Sequence, residues 1–170
     1  MPTRARLAVA IAIAFVSAAG IVVLAVHWLA SDTRAAVPRG LRETRAVRPF
    51  AGYREVGIEF GSRCVRVVVA DTPAKRERGL RGVANLGAYG GMLFAQRSDS
   101  STAFTMAGVS APLDITWYSS AARSVGASRL RPCPHAGAAQ CPVYANARPY
   151  RFALETPDGV MAPGALLPCG

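Results

Sequence analysis

The sequence predicts a mainly β (α+β) fold, a compact and largely antiparallel β-sheet or barrel-like domain with one short helix. Short segments of β-branched or alternating apolar residues, such as residues 56–60 and 64–70, are separated by glycine, proline and serine. Thr72 and Pro73 are typical of a helix start and precede a short charged helix. About 140 residues follow the apolar N-terminus, which is enough for one hydrophobic core.

The N-terminus carries a predicted membrane anchor. Two arginines precede an unbroken apolar run from Leu7 to Val26, which residues 27–30 extend. Roughly 20 apolar residues match the ~30 Å hydrocarbon core of a bilayer, and Trp28 has the position of an interfacial aromatic residue. The run is longer than the signal-peptide h-region of about 7–15 residues. We therefore expect an anchor or uncleaved signal over residues 1–30, with membrane contact through residues 7–30.

Residues 31–52 have the composition of a linker, because prolines, glycines and five arginines interrupt every apolar pattern. A solvated stalk is one interpretation, and a basic collar on anionic lipid or envelope polymer is the other. The globular domain is predicted over residues 53–170. The arginines after the span favour a cytoplasmic domain, whereas the cysteines favour export. We expect a single-pass cell-membrane protein with an extracytoplasmic domain.

The charge of the chain does not predict a nucleic-acid partner. The formal net charge is +10, and nearly all basic residues are arginine. Together with abundant alanine, this bias is typical of a GC-rich genome. No basic run is interleaved with aromatic residues, as it tends to be in proteins that bind single strands.

The most distinctive stretch covers residues 90–118, where two apolar blocks flank a polar turn and Asp114 lies inside the second block. Alternation along a strand places Asp114 on the face opposite Leu113 and Ile115. One interpretation is a half-buried strand whose polar face meets water or backbone N–H donors. The other is a pocket carboxylate working with a second acid, for which Glu155 and Asp71 are candidates.

Four cysteines suggest two disulfides, for which three connectivities exist. Cys133 and Cys141 bracket a short loop and are each followed by proline, so a bridge between them would stabilise the fold by about 2–3 kcal/mol. Cys64 and Cys169 are the remaining pair. The alternative is a zinc site built from Cys133, His135 and Cys141, whose spacing matches no usual zinc module. We predict the two disulfides, with no metal and no cofactor.

The order of short motifs along the chain resembles one known family. The motifs are Thr72-Pro73, Gly79-Leu80, Gly91-Met92-Leu93-Phe94, Phe104-x-Met106, Pro112-Leu113-Asp114-Ile115 and Leu154-Glu155. In combination they resemble the bacterial and archaeal "domain of unknown function 192" over about residues 65–164. The resemblance implies a compact, largely antiparallel β fold with a short helix after an early strand, and export or membrane anchoring in many relatives. It implies no particular activity.

The chain departs from the family pattern at three places. Val83 stands about where the family has an arginine. Thr105, Ala107 and Gly108 stand in the run where the family has tryptophan, lysine and asparagine, and residues 168–170 replace a terminal Gly-Asp element.

Two functions of different classes follow. The first is a membrane-tethered binding or accessory module for an envelope polymer or a protein partner. The alternative is a cell-envelope hydrolase or lyase that uses Asp114 with a second carboxylate. The ligand-pocket candidates are Asp114, Met106, Phe104, Met92 and Glu155.

Overall fold

A computed structural model describes residues 34–134, 137–160 and 162–169, which are mainly β. The elements are β1 (Glu43–Arg45), β2 (Arg54–Phe60), β3 (Arg63–Ala70), α1 (Pro73–Arg78), β4 (Met92–Ser100), β5 (Phe104–Thr105), β6 (Leu113–Tyr118), β7 (Ser124–Leu130), a 3-10 turn (Ala138–Gln140), β8 (Val143–Tyr144) and β9 (Tyr150–Pro157). The predicted anchor over residues 1–30 lies outside the described residues. Within the described ranges, no helix has the length and apolar character needed to cross a membrane.

Seven strands form one sheet in the order β1-β2-β3-β4-β9-β6-β7, and β5 pairs with β8 in a separate ribbon. The β3–β4 pair is parallel, whereas the other pairs are antiparallel. The mainly β prediction is therefore confirmed, but the barrel-like closure is wrong because β1 and β7 lie at opposite edges. At the β7 edge, the Arg148 guanidinium donates to the carbonyl of Val125 at 2.7 Å and occupies a position that a further strand would need.

Helix α1 begins where the sequence predicts it. The Thr72 hydroxyl accepts a hydrogen bond from the backbone N–H of Lys75 at 3.3 Å, and Pro73 occupies the first turn. Gly79 ends the helix with a φ of 50°, a conformation that favours glycine. The helix belongs to the crossover that the parallel β3–β4 pair requires, so it lies over one face of the sheet.

A buried carboxylate joins α1 to the sheet. Asp71 is fully buried and accepts hydrogen bonds at 2.9 Å from Arg54 on β2 and from the Lys75 ammonium on α1. Burial favours the neutral acid, but the bonds from Lys75 and Arg54 outweigh it and lower the pKa of Asp71. Asp71 is therefore a structural ion-pair partner that fixes the helix position.

Both faces of the sheet are covered. On the first face, Ile115 and Trp117 pack with Leu80 and Met106 from the segments that follow α1 and β5. The second face carries a separate cluster, in which the strand residues pack against the chain at both ends of the described region. Its buried members are Ala35, Leu41, Val56, Ile58, Val67, Val69, Leu93, Ala95, Tyr118, Phe152, Leu154 and Leu166. Central strands therefore contribute apolar side chains to both faces of the sheet.

Residues 34–52 are part of this folded unit, which corrects the predicted linker over residues 31–52 and the domain start at residue 53. The N–H of Ala35 bonds to the carbonyl of Asp71 at 2.8 Å, and β1 pairs with β2. Leu41 and Phe50 are buried. The segment contributes isolated apolar residues between turns, so no strand or helix period was visible in its sequence.

The structure contains both predicted disulfides, Cys64–Cys169 and Cys133–Cys141. The zinc alternative is therefore wrong, because the sulfurs of Cys133 and Cys141 are bonded to each other and provide no thiolate ligand. Cys64–Cys169 holds the C-terminal segment beside β2, where the N–H of Glu59 bonds to the carbonyl of Leu167 at 3.0 Å. This segment covers the second face of the sheet.

Candidate functional site

A cavity of about 370 Å³ lies between α1, the turn after it, and the first face of the sheet. Strands β4 and β9 and the chain around β5 complete its walls. This volume is at the small end of the range for ligand sites, roughly 300–1,000 Å³. The cavity is therefore large enough for one small ligand or for the end of a longer one.

Arginines from α1 and the following turn line one side of the cavity. These are Arg76, Arg78 and Arg81, and Glu77 is the acidic residue among them. The Arg76 guanidinium donates to the carbonyl of Ala95 at 3.0 Å, which orients it over the sheet. Burial lowers the pKa of Arg76, but a guanidinium keeps its proton in proteins. Glu77 and Arg78 of α1 and Arg81 of the following turn are exposed to solvent.

Aromatic side chains form the opposite wall. The ring of Phe104 lies 5.1 Å from Phe94, 6.0 Å from Tyr150 and 6.4 Å from Trp117, measured between centroids. The Tyr150 hydroxyl donates to the carbonyl of Thr102 at 2.6 Å and so fixes the segment that leads into β5. Phe104 remains half-buried. The wall thus offers a preformed apolar surface at low entropic cost.

The carboxyl of Glu155 lies at the inner end of this cavity. In the sheet register Glu155 stands between Met92 on β4 and Ile115 on β6, and it is 5% exposed. Its side chain has no hydrogen bond or ion pair to any residue within the described ranges. Burial alone raises the pKa of Glu155 to about 8. At neutral pH the group is therefore mostly a protonated acid, which donates one hydrogen bond and accepts others.

Asp114 lies on the other face of the sheet. Because Ile115 pairs directly with Glu155, the neighbouring Asp114 points away from Glu155. Its carboxylate accepts a hydrogen bond from the N–H of Gly159 at 2.8 Å and lies 3.7 Å from the Arg129 guanidinium. These contacts agree with the structural interpretation of Asp114. The carboxylate pair with Glu155 that a hydrolase or lyase would need is not formed.

Replacing Asp114 by alanine is expected to lower the free energy of unfolding by about 1 kcal/mol, because the turn at Gly159 loses its acceptor. Binding of any ligand in the cavity under α1 should be unchanged. Chemical denaturation of the full-length chain in neutral detergent measures the first effect. The matched control is Asp158→Ala, which removes a carboxylate from the same turn but keeps the Asp114–Gly159 bond. Unchanged stability with a loss of ligand binding would restore the pocket interpretation of Asp114.

The five predicted pocket residues have different positions. Phe104 and Glu155 line the cavity under α1. Met92 and Met106 are buried in the core and do not line it. Asp114 borders a separate depression of about 400 Å³ between β6, β7 and the C-terminal segment. The structure therefore brings together two of the five.

Sequence reasoning did not identify the arginines of α1 or Tyr150 as site residues. A short helix with many charges is usually a solvated surface element, and its sequence alone gives no other reading. The available signal was the topology: a helix that connects parallel strands lies against a sheet face. Of the departures from the family pattern, Thr105 lines the cavity, whereas Val83 packs against the core.

The sequence profile of one family, DUF192, described as "Uncharacterized ACR", matches residues 56–166. The chain belongs to the DUF192 family. The match includes α1, the cavity walls and Glu155. No curated protein matches the chain.

Two solved structures are similar to this DUF192 domain. A protein of unknown function from Novosphingobium aromaticivorans is 24% identical, with a TM-score of 0.57, and the alignment covers 79% of this chain and 94% of that one. A putative transcription regulator from Sinorhizobium meliloti is 22% identical, with a TM-score of 0.54, over 66% of this chain and 89% of that one. At these identities the likeness establishes the fold alone.

Proposed function

We propose that this DUF192 protein is a binding module tethered to the cell membrane through residues 7–30, with its β domain on the extracytoplasmic side. The cavity under α1 binds an anionic ligand of the cell envelope, which is either a small molecule or a group on a polymer or partner protein. The arginine side of the cavity supplies the charge, and the aromatic wall supplies apolar contact.

The observation that carries the proposal is the unpartnered carboxyl of Glu155 at the inner end of a cavity whose outer side is basic. The carboxyl lines the cavity and has no protein partner in the described part of the chain, so its hydrogen-bonding capacity is open to a ligand. Arg78 and Arg81, both exposed at the cavity mouth, would attract and hold its anionic group.

Export is supported by the cysteines and the N-terminus. Both pairs of cysteines are joined as disulfides, which form and persist in oxidising compartments outside the cytoplasm. The apolar run over residues 7–30 has the length of a membrane span. Fractionation of cells that produce the chain with and without residues 7–30 tests the tether, since only the complete chain should remain with the membranes.

Removal of the charges at the cavity mouth tests the binding site. The full-length chain in neutral detergent is titrated with cyclohexanecarboxylate and with D-glucuronate, and amide chemical shifts are followed by NMR. Both anions should shift residues around the cavity, whereas cyclohexylmethanol and D-glucose should bind more weakly. Arg78→Gln and Arg81→Gln should each weaken anion binding about tenfold, or about 1.4 kcal/mol.

Arg63→Gln is the matched control, because Arg63 is an exposed arginine at the β2–β3 turn, outside the cavity lining. It should leave anion binding unchanged. Equal losses in all three arginine variants would indicate a general effect of net charge. Shifts confined to other parts of the surface would remove the cavity from the proposal.

The enzyme alternative has less support. It required Asp114 and a second carboxylate at one site, but Glu155 lies on the opposite sheet face and Asp71 is held by Arg54 and Lys75. Asp158 is close to Asp114 only through their shared partner Arg129 at an exposed turn. The described residues therefore form no pocket in which two carboxylates face each other. A binding module accounts for their arrangement better than an enzyme does.

A further inference from the structure

We propose that the ligand of this cavity is an acidic sugar, a saccharide ring that carries a carboxylate. Its anionic group lies against Arg78 and Arg81, one face of the ring packs on Phe104, and a ring oxygen or hydroxyl bonds to the carboxyl of Glu155. This inference rests on the proposed function and names the chemical class that the site takes.

The distribution of polar groups favours a polyhydroxylated ligand over a simple hydrophobic acid. Besides its charged side, the cavity presents uncharged hydrogen-bonding groups on several elements. These are Gln96 on β4, Thr102 before β5, Thr105 on β5 and Glu155 on β9. Groups spread over several walls can pair with hydroxyls that project from several positions of one ring. A purely hydrophobic acid would leave the Glu155 carboxyl without a hydrogen-bond partner on binding, which is unfavourable.

The aromatic wall suits the C–H face of a sugar ring. Phe104 is held edge-on by Phe94 at an interplanar angle of 89°, and its strand is paired with β8 through Tyr144. An aromatic face carries partial negative charge, so it attracts the slightly positive C–H groups of a sugar. The position of Phe104 is thus set by the fold before a ligand arrives.

Glu155 gives the site a pH dependence. The protonated carboxyl donates a hydrogen bond to a sugar oxygen, whereas the ionised form cannot donate and repels the carboxylate of the ligand. The charged and titratable groups that face Glu155 across the cavity are Arg76, Glu77, Arg78 and Arg81 from the helix side and Tyr150 from its own strand. On the sheet, its partners Met92 and Ile115 are apolar. Glu155 is therefore the group whose titration controls ligand binding near pH 8.

The test compares D-glucuronate with cyclohexanecarboxylate, which has the same charge and ring size but no hydroxyl groups. Binding to the full-length chain in detergent is followed by NMR between about pH 6 and pH 9.5. Glucuronate should bind at least about tenfold more tightly at pH 6.5, and its affinity should fall about tenfold per unit above the pKa of Glu155. The Glu155→Gln variant keeps a hydrogen-bond donor without a titrating proton, so it should bind glucuronate with no such fall.

A second variant, Glu155→Leu, removes the donor and should abolish the preference for glucuronate while cyclohexanecarboxylate still binds. Equal affinity for the two anions in the native protein would overturn the saccharide inference and leave an anion site. The same pH profile in native protein and Glu155→Gln would overturn the role of Glu155. If neither anion binds in the cavity, both the inference and the proposed function fail.

Discussion

The native chain is expected to lose stability as the pH rises from about 5 to 8. The Glu155→Gln variant is expected not to show this loss. Burial raises the pKa of Glu155 in the folded protein to about 8, from its ordinary value of 4.5. The folded protein therefore holds this proton more tightly than the unfolded chain. The stability that this group contributes is complete below pH 4.5, falls as the pH rises, and is lost above about pH 8. The total loss is on the order of 5 kcal/mol.

Chemical denaturation of native protein and Glu155→Gln at several pH values measures this difference. The two should have similar stability near pH 5, and the variant should be the more stable by several kcal/mol at pH 8. Comparing the two cancels other groups, including Asp71, whose pKa is lowered and whose contribution is lost only as the pH falls. Parallel stability curves would mean that Glu155 is ionised and partnered at neutral pH.

Removal of the Cys64–Cys169 bridge is the second large expected effect. The bridge joins residues 105 positions apart, and closing a loop of that length stabilises by about 4–5 kcal/mol on the chain-entropy model. It also holds the segment that carries Leu166 onto the second face of the sheet. Gly57 leaves room for both sulfurs, since a Cβ there would lie 3.0 Å from each. The Cys64→Ser, Cys169→Ser double variant should lose at least this stabilisation.

The matched control is the Cys133→Ser, Cys141→Ser double variant, whose bridge spans 8 positions. Its loss should be about 2–3 kcal/mol by the same model. Thermal unfolding and chemical denaturation of both variants measure the order of the two effects. A larger loss for Cys133 and Cys141 would mean that local geometry at the β5–β8 ribbon, and not loop length, determines the contribution of each bridge.

Local signals in the sequence predicted several elements because short-range interactions determine them. The Thr72 cap and Pro73 define the start of α1, and Gly61 lies in the two-residue turn between β2 and β3. The prolines after Cys133 and Cys141 indicated their bridge, and the other bridge followed by elimination. Each of these features depends on neighbours close along the chain.

The sheet order was not predictable in the same way, because it depends on contacts between distant segments. Strand β9 inserts between β4 and β6, which buries Glu155 on a central strand. In the sequence, Leu154-Glu155 is equally compatible with a solvent-exposed edge. The environment of Asp114 was not predictable for the same reason. It is a charge between apolar neighbours, but its partner is the N–H of Gly159, 45 positions away. A charge within a strand therefore acquires its role from the register.

The most direct test of the cavity as a ligand site is an NMR titration of the Glu155 carboxyl carbon, with and without D-glucuronate. Full-length protein labelled with ¹³C at glutamate carboxyls is titrated, and Glu155→Gln identifies the signal. We expect a pKa near 8 in the free protein, rising further with ligand because the ligand binds the protonated form. A pKa close to the ordinary glutamate value of about 4.3, or one that glucuronate leaves unchanged, would contradict the assignment of this cavity.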